Sequence, residues 1–188
     1  MRYFKFYALV LISFIAGCQS PSNKIVDKFK EVNESIEKSN ESIDSLTQDM
    51  KFAGFDKAEG DSIRQIFNKA SLYIRILKKE LDSADSNGEK LDISEKLIVK
   101  TPKGDSLYKY IKDMYKLGIK YGDSSLKKSY ASLKETTSDK WLHKWFKDVP
   151  TVAARTILSK FQNDLVHIKT SIMSADILEL KNKILSEK

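Results

Sequence analysis

The sequence predicts an all-α fold: an up-down bundle of four to five helices closed by a long C-terminal helix. Three features of the chain carry that expectation. Glycine (7) and proline (3) are scarce among 188 residues, so the turn chemistry that many hairpins require is missing. Apolar residues recur at spacings of three and four, the period of one helical face. No glycine or proline occurs from Thr151 to Lys188, which leaves room for a helix of about 55 Å at roughly 1.5 Å per residue. The length suits one domain that buries a core without disulfides.

Residues 1–17 read as an export signal. Arg2 and Lys5 supply a positive start, residues 6–15 an apolar core, and Ala16 and Gly17 a small-residue cleavage site. As a helix the apolar run of residues 6–17 reaches only about 18 Å, short of the roughly 30 Å of hydrocarbon in a bilayer. Cys18 follows at once, and Ile15-Ala16-Gly17-Cys18 looks like a bacterial lipobox, so Cys18 is the expected lipid attachment site. Each buried methylene contributes about 0.8 kcal/mol, and several acyl chains on one residue make attachment to the membrane effectively permanent. Residues 18–23 are then a polar tether, and residues 24–188 the helical domain.

The first helix of that domain places Ile25, Phe29, Val32, Ile36, Ile43, Leu46 and Met50 on a heptad seam, with Ser39 in the one polar place. Asn33-Glu34-Ser35-Ile36 recurs seven residues later as Asn40-Glu41-Ser42-Ile43. Such narrow seams belong to coiled coils or to bundles packed near 20°; a bundle helix is the preferred reading, and a homo-oligomer the coiled-coil one. Gly54 and Gly60 punctuate the next link, after which Asp61 or Ser62 caps a helix carrying Ile63, Ile66, Phe67, Ala70, Ile74, Leu77 and Leu81. Residues 82–103 are the least regular. Gly88 reads as a turn residue, and Leu97-Ile98-Val99 as a short strand or a pin against the bundle.

Asp105 or Ser106 caps a third helix with Leu107, Tyr110, Ile111, Met114, Leu117 and Tyr121, ending at Gly122. Its tyrosines, with Tyr108 and Tyr115, read as packed rings with hydroxyls reaching water. Asp123 or Ser124 caps a shorter fourth helix with Leu126, Tyr130 and Leu133. Trp141, Leu142, Trp145 and Phe146 then share one side of a helical turn. This cluster reads first as a plug for one end of the bundle. The sharper alternative is a partner surface made by Trp141, Trp145 and Phe146, since tryptophan is a common interface anchor. Asp148 is the expected N-cap of the last helix, with Pro150 in its first turn. Leu158, Phe161, Leu165, Ile168 and Ile172 keep heptad spacing before the stripe shifts to Ile177, Leu180 and Ile184, so the part beyond Ser174 is expected to leave the bundle.

Little in the chain points to chemistry. His143 and His167 lack partners at metal-ligand spacing, and Asp164 with His167 is an ordinary i, i+3 pair. An EF-hand aligned on Gly88 has Asp85 and Asn87 in place, yet Ser83 and Ser94 fall where carboxylates are required. Glu31, Glu34, Glu37 and Glu41 interleave with Lys30 and Lys38 as a solvated face. Enzyme activity, a cofactor and a metal are not expected. Arg2 and Lys5 leave with the signal, so the net charge falls from +7 to +5. Four arginines against 29 lysines, mixed with carboxylates, make no stripe for a phosphate backbone, so nucleic acid is not an expected partner.

One segment is more specific than the rest. Residues 146–165, with an aromatic before the proline, Ala153 and Ala154, then Leu158, Ser159, Phe161, Gln162, Asn163 and Asp164, resemble the start of the last helix in the first periplasmic domain of GldM proteins. GldM is a gliding-motility protein of the type IX secretion machinery. Phe29, Asn33, Glu34 and Asn40, and later Phe67, Ala70, Tyr73-Ile74 and Leu77-Lys78, look similar in place and type.

The resemblance implies a helical, non-catalytic protein-interaction module of the cell envelope whose partners are secretion-machinery proteins. GldM begins with a transmembrane helix coupled to a motor and continues into β-rich domains. Here a lipid is expected in place of that helix, and the chain is expected to stop after the helical domain. A neutral tether, Gln19-Ser20-Pro21-Ser22-Asn23, favours a periplasm-facing anchor. Two functions stay open: an accessory of type IX secretion and gliding, or a periplasmic binding lipoprotein, such as an immunity protein or envelope adaptor, that reuses the bundle.

Overall fold

The computed structural model describes residues 50–99 and 101–187, and the all-α expectation holds over them. The first heptad helix, the signal and Cys18 lie outside the described residues, except that Met50 is buried. Six α-helices and one 3-10 turn follow: α1 (Lys57–Ala84), α2 (Asp92–Ile98), α3 (Pro102–Lys120), the turn Ser124–Leu126, α4 (Lys127–Lys134), α5 (Ser138–Phe146) and α6 (Thr151–Ser186). The three long helices α1, α3 and α6 pack pairwise around the core, while α2 and α5 close one end and α4 lies against α3.

Each helix buries the stripe that its period predicts. In α1 the buried positions are Ile63, Phe67, Ala70, Ile74, Leu77 and Leu81, and in α3 Leu107, Ile111, Met114 and Tyr115. In α6 they are Leu158, Phe161, Leu165, Ile168 and Ile172. Burying each large apolar side chain contributes about 1.5–3 kcal/mol, so this shared layer is the main source of the bundle's stability.

The structure corrects several helix starts. α1 begins at Lys57, ahead of the expected Asp61 or Ser62, because the Asp56 carboxylate accepts from the Glu59 amide at 2.8 Å. Gly60 therefore lies inside the first turn, beneath the Phe52 ring, where an added Cβ would sit 3.1 Å from Phe52 Cδ2. α3 starts at Pro102 and not after Asp105 or Ser106; Thr101 Oγ1 accepts from the Gly104 amide at 3.0 Å. Gly104 is needed there, since a Cβ would come within 1.9 Å of the Ile98 carbonyl. Asp123 caps the 3-10 turn that precedes α4, accepting from the Ser125 amide at 3.1 Å.

Two further corrections concern the end closed by α2 and α5. Leu97-Ile98-Val99 forms no strand: α2 is a helix that ends at Ile98, with Ser94 and Ile98 buried on one face. A single strand there would leave its backbone groups unpaired, whereas one helical turn satisfies them internally. Asp148 is not the cap of α6 but a left-handed connector residue at φ 54°. α6 starts at Thr151 with Pro150 in the cap place and no side-chain cap. Loop carbonyls do that work, Lys90 and Gly88 accepting from the Thr151 and Val152 amides at 3.1 and 3.2 Å.

Candidate functional site

The aromatic cluster forms the corner where α5 meets α3 and α6. Trp141 and Phe146 are buried and Leu142 fully so, while Trp145 is half-buried. Trp141 stacks on Phe161 at 5.4 Å between ring centroids and meets Tyr108 edge-on at 5.7 Å; Trp145 meets Phe161 edge-on at 5.8 Å. The Tyr108 hydroxyl lies 2.8 Å from the Leu133 carbonyl and 2.6 Å from that of Thr136, fixing the link between α4 and α5. Of the three residues expected to form a partner surface, Trp141 and Phe146 are buried and Trp145 is partly exposed.

Beside the corner, Asp85 holds the start of α6. Its carboxylate accepts from the Thr151 hydroxyl at 2.6 Å and the Lys90 amide at 2.7 Å. Burial pushes the Asp85 pKa up, but hydrogen bonds from Thr151, Lys90 and Gly88 outweigh it and hold the carboxyl below the usual aspartate range. Gly88, the turn residue, adopts φ 79°. The residues that a calcium loop would need are thus turned inward: Asp85 braces α6, and the buried Ser94 hydroxyl reaches the carbonyls of Phe146 and Val149 at 3.0 and 2.9 Å.

The histidines and tyrosines are placed as follows. His143 Nδ1 lies 2.9 Å from the Asp139 carbonyl, with the carboxylates of Asp139 and Glu95 at 3.2 and 3.8 Å from its ring nitrogens. His167 lies on α6, lining an open polar cleft with Asp164, Thr170, Ser171 and the Gly122–Leu126 turn. Asp164 accepts from the Tyr115 hydroxyl, and also from Lys160 at 2.8 Å. Burial, with the neighbouring Asp164 charge, pushes the Tyr115 hydroxyl far above the usual range. Tyr110 stacks on Tyr73 at 5.8 Å, and the Tyr121 hydroxyl donates to Glu59 at 2.5 Å. Lys120, also bonded to Glu59 at 2.6 Å, is first among the causes that lower the Glu59 pKa. Among the described residues no group of three or more His, Cys, Asp or Glu is arranged to hold a metal.

A second anchoring point escaped the sequence reading. Asp176, the polar residue one turn beyond Ile172, is buried and accepts three consecutive backbone amides: Ala53 at 3.0 Å, Gly54 at 2.8 Å and Phe55 at 2.8 Å. Lys183 donates to the Gly54 carbonyl. Gly54 is obligatory, because a Cβ would lie 2.0 Å from the Asp176 carbonyl oxygen and 2.7 Å from the Leu180 amide nitrogen. The available signal was a glycine between Phe52 and Phe55 together with an aspartate that interrupts an apolar stripe. Past this clamp α6 exposes its apolar side chains: Ile177 is 65% exposed, Leu178 58%, Ile184 51% and Leu185 59%. The expectation that α6 leaves the bundle beyond Ser174 is thus met, with the Asp176 and Lys183 bonds to residues 53–55 as the last ties.

Residues 24–178 match the family model described as the GldM N-terminal domain. No curated protein and no solved structure matches the chain. The family match associates the chain with gliding motility, type IX secretion and the cell envelope. Among the described residues no helix is long and apolar enough to cross a membrane.

Proposed function

We propose, given that this chain belongs to the GldM N-terminal domain family, that it is a non-catalytic protein-interaction module of the type IX secretion and gliding machinery. In this reading Cys18 carries the lipid that holds it to the envelope, facing the periplasm, and residues 24–188 form the interacting domain. The single observation that supports it most is the extent of the match, which takes in α1 to α5 and most of α6. The use of side chains points the same way. Asp85, Ser94, Tyr115, Asp164 and Asp176, the polar groups best placed for chemistry, are each engaged in holding one segment to another. Trp145, the partly exposed member of the corner, contributes to the partner surface.

Cross-linking in the native host, followed by identification of the bound proteins, tests the reading. Secretion-machinery components should be recovered with the chain, and their consistent absence would count against it. Lipidation has its own test: blocking lipoprotein signal peptidase should leave a heavier precursor, and an unchanged mass would exclude Cys18 as the attachment site.

A further inference from the structure

The charge of the chain is not spread evenly. Residues 102–134, which span α3, the 3-10 turn and α4, hold eight lysines against Asp105, Asp113 and Asp123, an excess of five. That equals the whole net charge expected after loss of the signal, so the other 23 basic and 23 acidic residues beyond the signal cancel. The lysines follow the helical period. Lys109, Lys112 and Lys116 are spaced three and four apart on α3, and Lys127 and Lys134 seven apart on α4, which places each set on one face of its helix. Lys112 is half-buried and the other four are exposed. The two sets meet at Tyr108: Lys112 Nζ lies 5.5 Å from its ring centroid, and its hydroxyl donates to the Leu133 carbonyl, next to Lys134. Lys103 and Lys120 are neutralised by Glu80 and Glu59, whereas these five are in no ion pair among the described residues.

The chemistry of this face selects its occupant. Protein interfaces are enriched in arginine and depleted in lysine, yet all the positive charge here is lysine; Arg64 and Arg155 lie elsewhere, paired with Asp61 and Asp82. An ammonium is a compact charge that needs no fixed fork of acceptors, which suits mobile phosphate headgroups. The rings among the lysines are tyrosines. Tyr108, Tyr110 and Tyr130 are half-buried, and tyrosine, apolar in body and polar at its tip, is a residue of the membrane–water boundary. Among the described residues, no large exposed apolar side chain lies within 102–134. Such a face rests on headgroups and does not enter hydrocarbon.

We propose that the α3–α4 face docks on anionic phospholipid headgroups and so lays the domain against the bilayer. This rests on the reading of the chain as an envelope module held by a lipid on Cys18, and adds which side of the domain meets the membrane. The tether of residues 18–23 reaches at most about 20 Å, so the anchored domain stays beside the surface that its lysines attract.

The test uses the mature chain, residues 18–188, with Cys18→Ser so that no acyl chain contributes. Flotation compares vesicles of phosphatidylglycerol and phosphatidylcholine with vesicles of phosphatidylcholine alone. The chain should bind the first about tenfold or more tighter, as expected for several lysines at a charged surface, and added salt should remove the difference. Lys112→Gln/Lys116→Gln/Lys134→Gln should weaken that binding by about tenfold. Lys57→Gln/Lys79→Gln/Lys181→Gln removes the same charge from exposed positions on α1 and α6. It should change binding by less than about twofold, because charges beyond a Debye length of the surface are screened. Helicity and the urea midpoint of each variant show that the bundle stays folded.

Equal binding to both kinds of vesicle, binding to neither, or equal loss in the two triple variants would overturn the proposal. Unchanged flotation of the α3–α4 variant, together with lost cross-linking to proteins, would assign the face to a protein partner instead. Sedimentation of the chain as a dimer that those substitutions dissociate would assign it to a second copy. Recovery of secretion-machinery proteins and lipidation of Cys18 are read separately, so this proposal can fail while the functional reading stands.

Discussion

At both ends of α6 a buried aspartate carboxylate accepts backbone amides from a loop, yet the surroundings differ. At the N-terminal end Asp85 bonds to Thr151 and Lys90, and the apolar residues of the α5–α6 corner, Trp141, Leu142, Phe146 and Phe161, are all buried. At the C-terminal end Asp176 bonds to residues 53–55, and the apolar residues just beyond it, Ile177, Leu178, Ile184 and Leu185, face solvent. The same polar device thus completes a core at one end and fixes the direction of an uncovered helix at the other. A buried aromatic has its partners already, whereas an exposed apolar residue on an ordered helix has contacts still to make.

The largest expected effect that separates the two ends is at Phe146. Phe146→Ala removes a fully buried ring and should cost about 3–5 kcal/mol in urea unfolding. A cost below about 1 kcal/mol would mean that the corner is not core.

Gly54→Ala attacks the other end through the backbone. With the new methyl set against Asp176 and Leu180, a penalty of about 1–3 kcal/mol is expected from overpacking. Hydrogen exchange should show faster opening of residues 176–186, with the α5–α6 corner unchanged. Uniform loss of protection would show that the clamp stabilises the whole bundle equally.

Asp85→Ala comes next, at about 1–3 kcal/mol near neutral pH for the unpaired Thr151 hydroxyl and Lys90 amide. Because the folded-state pKa of Asp85 lies below its ordinary value, the carboxylate's contribution is fully present above that value and is lost as pH falls through the folded pKa. The stability gap between the wild-type chain and the variant should therefore shrink on acidification. A gap that widens in acid would reverse the sign of this account.

The smallest effect on folding is expected at Trp145. Trp145→Ala should cost about 1–2 kcal/mol, because its ring is buried only in part. Its larger effect should be a loss of cross-linking to partners in the native host; unchanged cross-linking would remove Trp145 from the partner surface.

The difference between the two ends also explains what the sequence could reveal. The stripes of α1, α3 and α6 were legible because residues such as Ile74, Ile111 and Leu165 repeat with the helical period, and burial follows period. The crowding of Trp141, Leu142 and Phe146 was legible for the same reason. The starts of α1, α3 and α6 were not. The first two each depend on one local partner, Asp56 for Glu59 and Thr101 for Gly104, and the third on two distant loop carbonyls, those of Lys90 and Gly88 for Thr151 and Val152. Several equally suitable capping residues stood nearby, and only tertiary geometry chooses among them.

The clamp at Asp176 was hidden by distance. Its donors lie more than 120 residues away, with |i−j| of 123, 122 and 121, and no local pattern links an aspartate on one helix to a glycine in a distant loop. The departure of α6 from the bundle was visible as a shift of stripe at Ile177, but the loop of residues 53–55 that still holds it was not.

The most direct measurement compares urea unfolding of Phe146→Ala with that of Ile177→Ser/Ile184→Ser in the otherwise intact chain. With the corner as core and the end of α6 uncovered, the first should lose about 3–5 kcal/mol, while the double variant stays within about 1 kcal/mol of the wild-type value, as surface substitutions do. A double-variant loss as large as that of Phe146→Ala would contradict the account, because Ile177 and Ile184 would then belong to the chain's own core.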